Sequence, residues 1–209
     1  MLTPREIQAM SADLIQVYTQ IEDDLVVNVA RRFIGIDEID PDTVTEWQVN
    51  MLNELGALRR DNIRAIKKQS GKTMTAINRI LNDAGFKALE FDEAIYELAH
   101  SKGMLVKMPV PARSSPMIAQ IIQGATDNTR SYFNMINTTA LQSAQDGFLR
   151  IVNQSYLETS LGISDLPTAV RKGVRNLADI GITGADYISD AGRHTRNHID
   201  VAVRRAIVT

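Results

Sequence analysis

Apolar side chains recur at intervals of three and four from the start of the chain: Ile7, Met10, Leu14, Val17, Tyr18, Ile21, Leu25, Val29 and Phe33. This spacing follows the turn of an α-helix and gathers the apolar groups into one stripe. Thr3 is placed to cap the helix, Pro4 suits its first position, and Glu6 completes a capping box. The pattern predicts a helix to residue 34 or so, about 45 Å long. In a chain of 209 residues no compact globule covers such a stripe. It should therefore pack on other long helices or on another subunit.

Gly35 and the acidic residues 37–42 read as a connection, with Asp42 or Thr43 capping a second helix. Val44, Trp47, Met51, Leu55 and Leu58 form its stripe, and it is expected to run to Gln69 with Gly56 as a soft point. Ser70 and Gly71 should interrupt it. A shorter helix over 72–83, closed by Ala84 and Gly85, and another over 91–100 complete the first half. Gly103, Pro109, Pro111 and Pro116 forbid a continuous helix through 101–116, the best candidate for a linker between regions 1–100 and 117–209. Residues 117–160 keep helical spacing through Ile118, Ile122, Phe133, Ile136, Phe148 and Ile151, and read as two helices. Ser164 or Asp165 caps a further helix with Pro167 in its first turn and Gly181 at its end. No segment alternates as a clear strand, although a short hairpin near 104–110 or 182–188 is compatible with the turn residues there. The fold class is all-α, an extended array or bundle of long amphipathic helices.

Composition narrows the function classes. Cysteine is absent, so there is neither a disulfide framework nor a thiolate metal site. No run of eighteen apolar residues and no signal-peptide pattern occur, so a soluble protein without a membrane partner is expected. A net charge of -2 hides strong segregation. Residues 1–58 hold three basic and eleven acidic side chains, whereas Arg59, Arg60, Arg64, Lys67, Lys68 and Lys72 follow with Asp61 alone against them. Such bipolar patterning favours electrostatic docking between copies or onto a charged partner. The simpler reading of the basic run is a solvated helix face.

Several motifs stop short of chemistry. Gly71-Lys72-Thr73 resembles the end of a phosphate-binding loop, but Ile66 stands where the first glycine belongs. His194 and His198 have the spacing of a two-histidine metal site on a helix, yet Thr195 follows His194 where a zinc protease carries Glu, and no third ligand is evident. The carboxylates of 37–42 lack the glycine and distal Glu of a calcium loop. None of the three histidines is flanked by a nucleophile elbow. No enzyme, cofactor, metal or small-molecule substrate is therefore expected. Trp47 reads as a core anchor or as a subunit contact.

The last thirty residues are the most distinctive. After 181–190 (GITGADYISD) come Arg193, His194, Arg196 and His198, then 199–209 (IDVAVRRAIVT). Ile199, Ala202, Val203, Ala206 and Ile207 fall on one helix face, with Arg196, Asp200 and Arg204 turned outward. Asp200 is spaced to pair with Arg196 and Arg204, leaving Arg205 free for a partner. These phrases resemble the phage minor capsid protein 2 family. So do Leu2-Thr3-Pro4 leading into a helix that ends Ala30-Arg31-Arg32-Phe33-Ile34, and Glu46-Trp47-Gln48 followed by Leu52, Glu54, Leu55 and Gly56. The family is related in role to portal-associated minor head proteins of the Mu F type.

The resemblance implies a structural head protein of a tailed bacteriophage at or near the portal vertex, assisting head morphogenesis, DNA packaging or ejection. It implies the portal protein and other capsid proteins as partners, several copies per virion, a contact with packaged DNA, and residence in the virion after assembly in the host cytoplasm. The candidate contact residues are Trp47, Arg59, Arg60, Arg64, Lys67 and Lys68, together with Arg196, Asp200, Arg204 and Arg205. A helical nucleic-acid-binding or regulatory protein that uses the 59–72 run is the alternative. The final helix carries no stop signal, so the chain is expected to continue in longer relatives.

Overall fold

A computed structural model describes residues 4–36, 43–188, 192 and 194–208. Among them five α-helices and one two-stranded antiparallel sheet form an all-α fold with a small β appendage. Helix α1 spans Pro4–Arg31, α2 Val44–Ser101, α3 Pro116–Ser160, α4 Leu166–Ile180 and α5 Ile199–Val208. Strands β1 (Thr183–Ile188) and β2 (His194–His198) lie between α4 and α5.

The first helix follows its periodicity: Leu14, Tyr18, Ile21, Leu25, Val29 and Phe33 are all buried. Thr3 and the 37–42 connection, with their expected capping and calcium-loop roles, lie outside the described residues. The second helix departs from expectation, because the interruptions foreseen at Ser70-Gly71 and Ala84-Gly85 do not occur. It runs unbroken for 58 residues, about 87 Å. A helical glycine costs only about 1 kcal/mol against alanine, and apolar contacts on both sides of each site outweigh that. Leu58, Ile77 and Ile80 are buried around Gly71, while Gly85 lets the Ile122 side chain of α3 come close. For the same reason the segment expected as two helices is one, Pro116–Ser160, of 45 residues. Its buried line passes without a break from Phe133 through Ile136, Ala140, Ala144 and Phe148 to Val152.

Side-chain pairs fix how the three long helices run. Asp13 meets Arg79 and Asn28 meets Asn62, so α1 is antiparallel to α2. Gln48 meets Asn153 while Gly85 sits against Ile122, so α2 is antiparallel to α3. Tyr18 stacks on Phe133 with centroids 5.2 Å apart and Phe33 on Phe148 at 5.1 Å, so α1 runs parallel to α3. Arg32 clamps the α1–α2 contact through Glu54 at 2.7 Å and through Asp61. With this register Pro4 stands level with about residue 87 of α2. Beyond that level α2 and α3 continue as a two-helix tip, against which the short 3-10 helix Ala112–Ser114 packs.

At the other end, α4 crosses α3 at close range, since a Cβ on Gly147 would lie 2.8 Å from Leu177 and one on Gly173 3.1 Å from Ile151. The α4 boundaries match the sequence signals. Asp165 accepts the Thr168 amide at 2.8 Å, Pro167 lies in the first turn, and Gly181 ends the helix with φ +76°. The 182–188 segment does form a strand. Its partner β2 carries His194 and His198, which the spacing had placed on a helix; pairing with β1 holds this polar segment extended. The α5 face is as expected, with Ile199, Ala202, Val203 and Ala206 buried against α1, α3 and β1. Gly184 permits this, because a Cβ there would meet the Ile199 backbone at 2.6 Å. One buried cluster joins side chains from all five helices and the sheet.

Candidate functional site

The basic run is a band on the outside of α2. Arg59, Arg60, Arg64, Lys67 and Lys68 are all exposed. Their environment is set by what faces inward on the same turns. Glu54 and Asp61 are drawn toward Arg32, just past the end of α1, so the acids nearest the band are engaged in holding the bundle. Arg64 shares Asp61 at 2.7 Å. The side chains of Arg59, Arg60, Lys67 and Lys68 pair with no carboxylate among the described residues. Gly71-Lys72-Thr73 lies inside the helix, where backbone N–H groups bond within the helix and form no phosphate nest.

Trp47 is only 6% exposed and belongs to the core cluster, with no hydrogen-bond partner for its Nε1 among the described residues. It anchors the start of α2 and presents almost no surface.

The carboxyl-terminal residues divide differently from the sequence expectation. Arg196 is on β2, so its four-residue separation from Asp200 is not a turn of helix. Both Arg196 and Arg205 take part in interactions within the molecule, so Arg205 is not the free cation expected. Asp200 lies in the first turn of α5, where a carboxylate is favoured by the helix dipole. Arg204 is exposed. His194 and His198 lie on a strand, so the helical spacing that suggested a two-histidine site does not hold. No group of three metal-ligating side chains occurs among the described residues.

One carboxylate ties this end to the bundle. Glu22 of α1 is half-buried and accepts the Ile182 amide at 2.5 Å. Gly181, with its positive φ, leaves room for the carboxylate. Burial pushes the Glu22 pKa above its ordinary value; the Ile182 amide and His198 oppose this, while Asp200 and Asp23 add to it. Beside it a cleft of about 350 Å³ lies between α3, α4 and β2, with Arg150, Arg196 and His198 on its walls and Asp146 among them. Sequence reading missed this cleft, because it depends on β2 being a strand. No helix among the described residues is long and apolar enough to cross a membrane.

A family model described as phage minor capsid protein 2 matches residues 2–209. The chain belongs to this family. Membership in the phage minor capsid protein 2 family makes it a structural component of a bacteriophage capsid, located in the virion and in contact with other capsid proteins. No curated protein and no solved structure matches the chain significantly. For this family, then, the bundle, its basic band and its carboxyl-terminal hairpin are the surfaces to which a head function must be assigned.

Proposed function

We propose that the protein is a minor head protein seated at or near the portal vertex, where it bridges the portal protein to neighbouring capsid proteins and assists head morphogenesis, DNA packaging or ejection. The family match over residues 2–209 carries this reading. The form of the molecule supports it. Long helices clamped by Arg32 and Glu22 make a stiff body, and cations without carboxylate partners among the described residues stand on its outside. A stiff body with charged faces suits a bridging element, because little ordering entropy is lost when it docks. In this reading Arg196, Arg204 and Arg205 lie on the portal side, and the α2 band meets other head components.

Co-expression with the portal protein encoded by the same phage tests the proposal. The two are expected to co-purify, and Arg204→Glu is expected to weaken the complex. Full recovery of both proteins in separate fractions at low salt would refute the portal contact. The α2 band also favours a second reading, contact with packaged DNA through Arg59, Arg60, Lys67 and Lys68. Duplex binding that falls steeply with rising salt would support that contact, and no binding at low salt would discard it.

A further inference from the structure

The tip of the α2–α3 hairpin departs from an ordinary protein surface. Val106 is 97% exposed, Met104 79% and Met117 70%, and Leu98, Val110 and Ile121 are also open. Large exposed apolar side chains concentrated at one end of a hairpin mark an interaction site, and methionine-rich surfaces adapt readily to a partner. Between the end of α2 and residues 108–118 runs a groove of about 450 Å³, floored by Tyr96, Met108, Val110 and Met117. Asp92, Glu93 and Glu97 line it, and no lysine or arginine is among the described lining residues. Glu93 accepts the Ala112 amide at 2.6 Å, while Asp92 and Glu97 have no cationic partner among the described residues.

The complement of this groove lies on the same helix. Val49, Leu52, Gly56, Arg60, Ile63 and Lys67 succeed one another at spacings of three and four, forming one outward stripe. Val49 and Leu52 are exposed, and Arg60 and Lys67 pair with no carboxylate among the described residues. An apolar groove edged by acids thus matches an apolar stripe bearing cations. The two are centred about thirty residues apart on one unbroken helix, roughly 45 Å, far beyond a Debye length of about 8–10 Å. They cannot meet within one molecule.

We infer that the acidic, apolar tip groove docks onto the basic stripe of α2 in a second copy of this chain. The contact is head-to-tail, so each copy offers one groove and one stripe, and repetition yields a closed ring or a filament. It does not depend on the portal reading, since protein alone is needed to observe it.

The test is sedimentation of the purified full chain over a range of concentration and salt. Association that grows with concentration and weakens with salt is expected. Asp92→Lys with Glu97→Lys should disable the groove, and Arg60→Ala with Lys67→Ala the stripe. Each double variant alone should associate at least about tenfold more weakly, with native helical circular dichroism as the control for folding. Mixed in equal amounts, the two should form a 1:1 complex that grows no further, because each brings one intact surface. A native chain that stays monomeric throughout would overturn the inference. So would a mixture that fails to form the complex, or association that survives either variant, as a tip-to-tip contact would allow. Loss of portal binding with self-association intact would count against the portal reading alone.

Discussion

Glu22 shows what a single side chain contributes. Its carboxylate joins α1 to the α4–β1 turn across 160 residues of sequence, yet burial disfavours its charge. A carboxyl group whose pKa is raised by folding holds its proton more tightly in the native state. Its stabilising contribution is therefore greatest below the ordinary value of 4.5 and is lost as pH rises through the raised value. Glu22→Gln keeps an acceptor for the Ile182 amide without the charge. Its urea midpoint is expected to vary less than that of the native protein between about pH 4 and about pH 7, and to equal or exceed it at the upper end. An unchanged pH slope would assign the dependence to other groups. No motif in the sequence pointed to Glu22. Its environment comes from Ile182, His198 and Asp200, which are brought together only by the fold.

At the level of elements, legibility followed local physics. The α1 stripe, the Asp165 cap, the Gly181 terminator and the buried face of α5 were readable because each is written in neighbouring residues. The continuity of α2 and α3 was not. Gly71 and Gly85 carry a real local penalty, and only packing against distant residues overrides it. Strand β2 (HTRNH) has no strand pattern of its own and is extended because β1 pairs with it. The charge pattern singled out Arg59, Arg60, Arg64, Lys67 and Lys68, which lie exposed on α2. The groove at the tip was not foreseen, because it needs 108–118 to fold back on α2.

Glycines give the same contrast a measurable form. A Cβ on Gly71 meets nothing within 4 Å, so Gly71→Ala is expected to raise stability by about 0.5–1 kcal/mol in urea denaturation. Gly184→Ala drives a methyl group into the Ile199 backbone and is expected to lower stability by about 1–3 kcal/mol. If Gly184→Ala proved neutral, the close β1–α5 packing would be wrong.

For the whole molecule, the question is whether residues 1–100 and 117–209 behave as separate regions. The buried cluster draws on both, with Tyr18 against Phe133 and Phe33 against Phe148. Trp47, the single tryptophan, reports from the α2 side, and far-ultraviolet circular dichroism reports from every helix. The two signals are expected to change together in one urea transition. Separate midpoints would instead mark the regions as folding independently.

The position of α1 also governs how the chain is made. Its buried face is completed by α3, α4 and α5, and α5 is synthesised about 170 residues after α1. At about 5–20 residues per second, the newly made helix waits roughly ten to thirty seconds on the ribosome before its last packing partner emerges. Through that interval Leu25 and Val29, fully covered in the finished fold, are without their final neighbours. Nascent chains of this protein are thus exposed to aggregation late in translation, and slower synthesis would lengthen the interval.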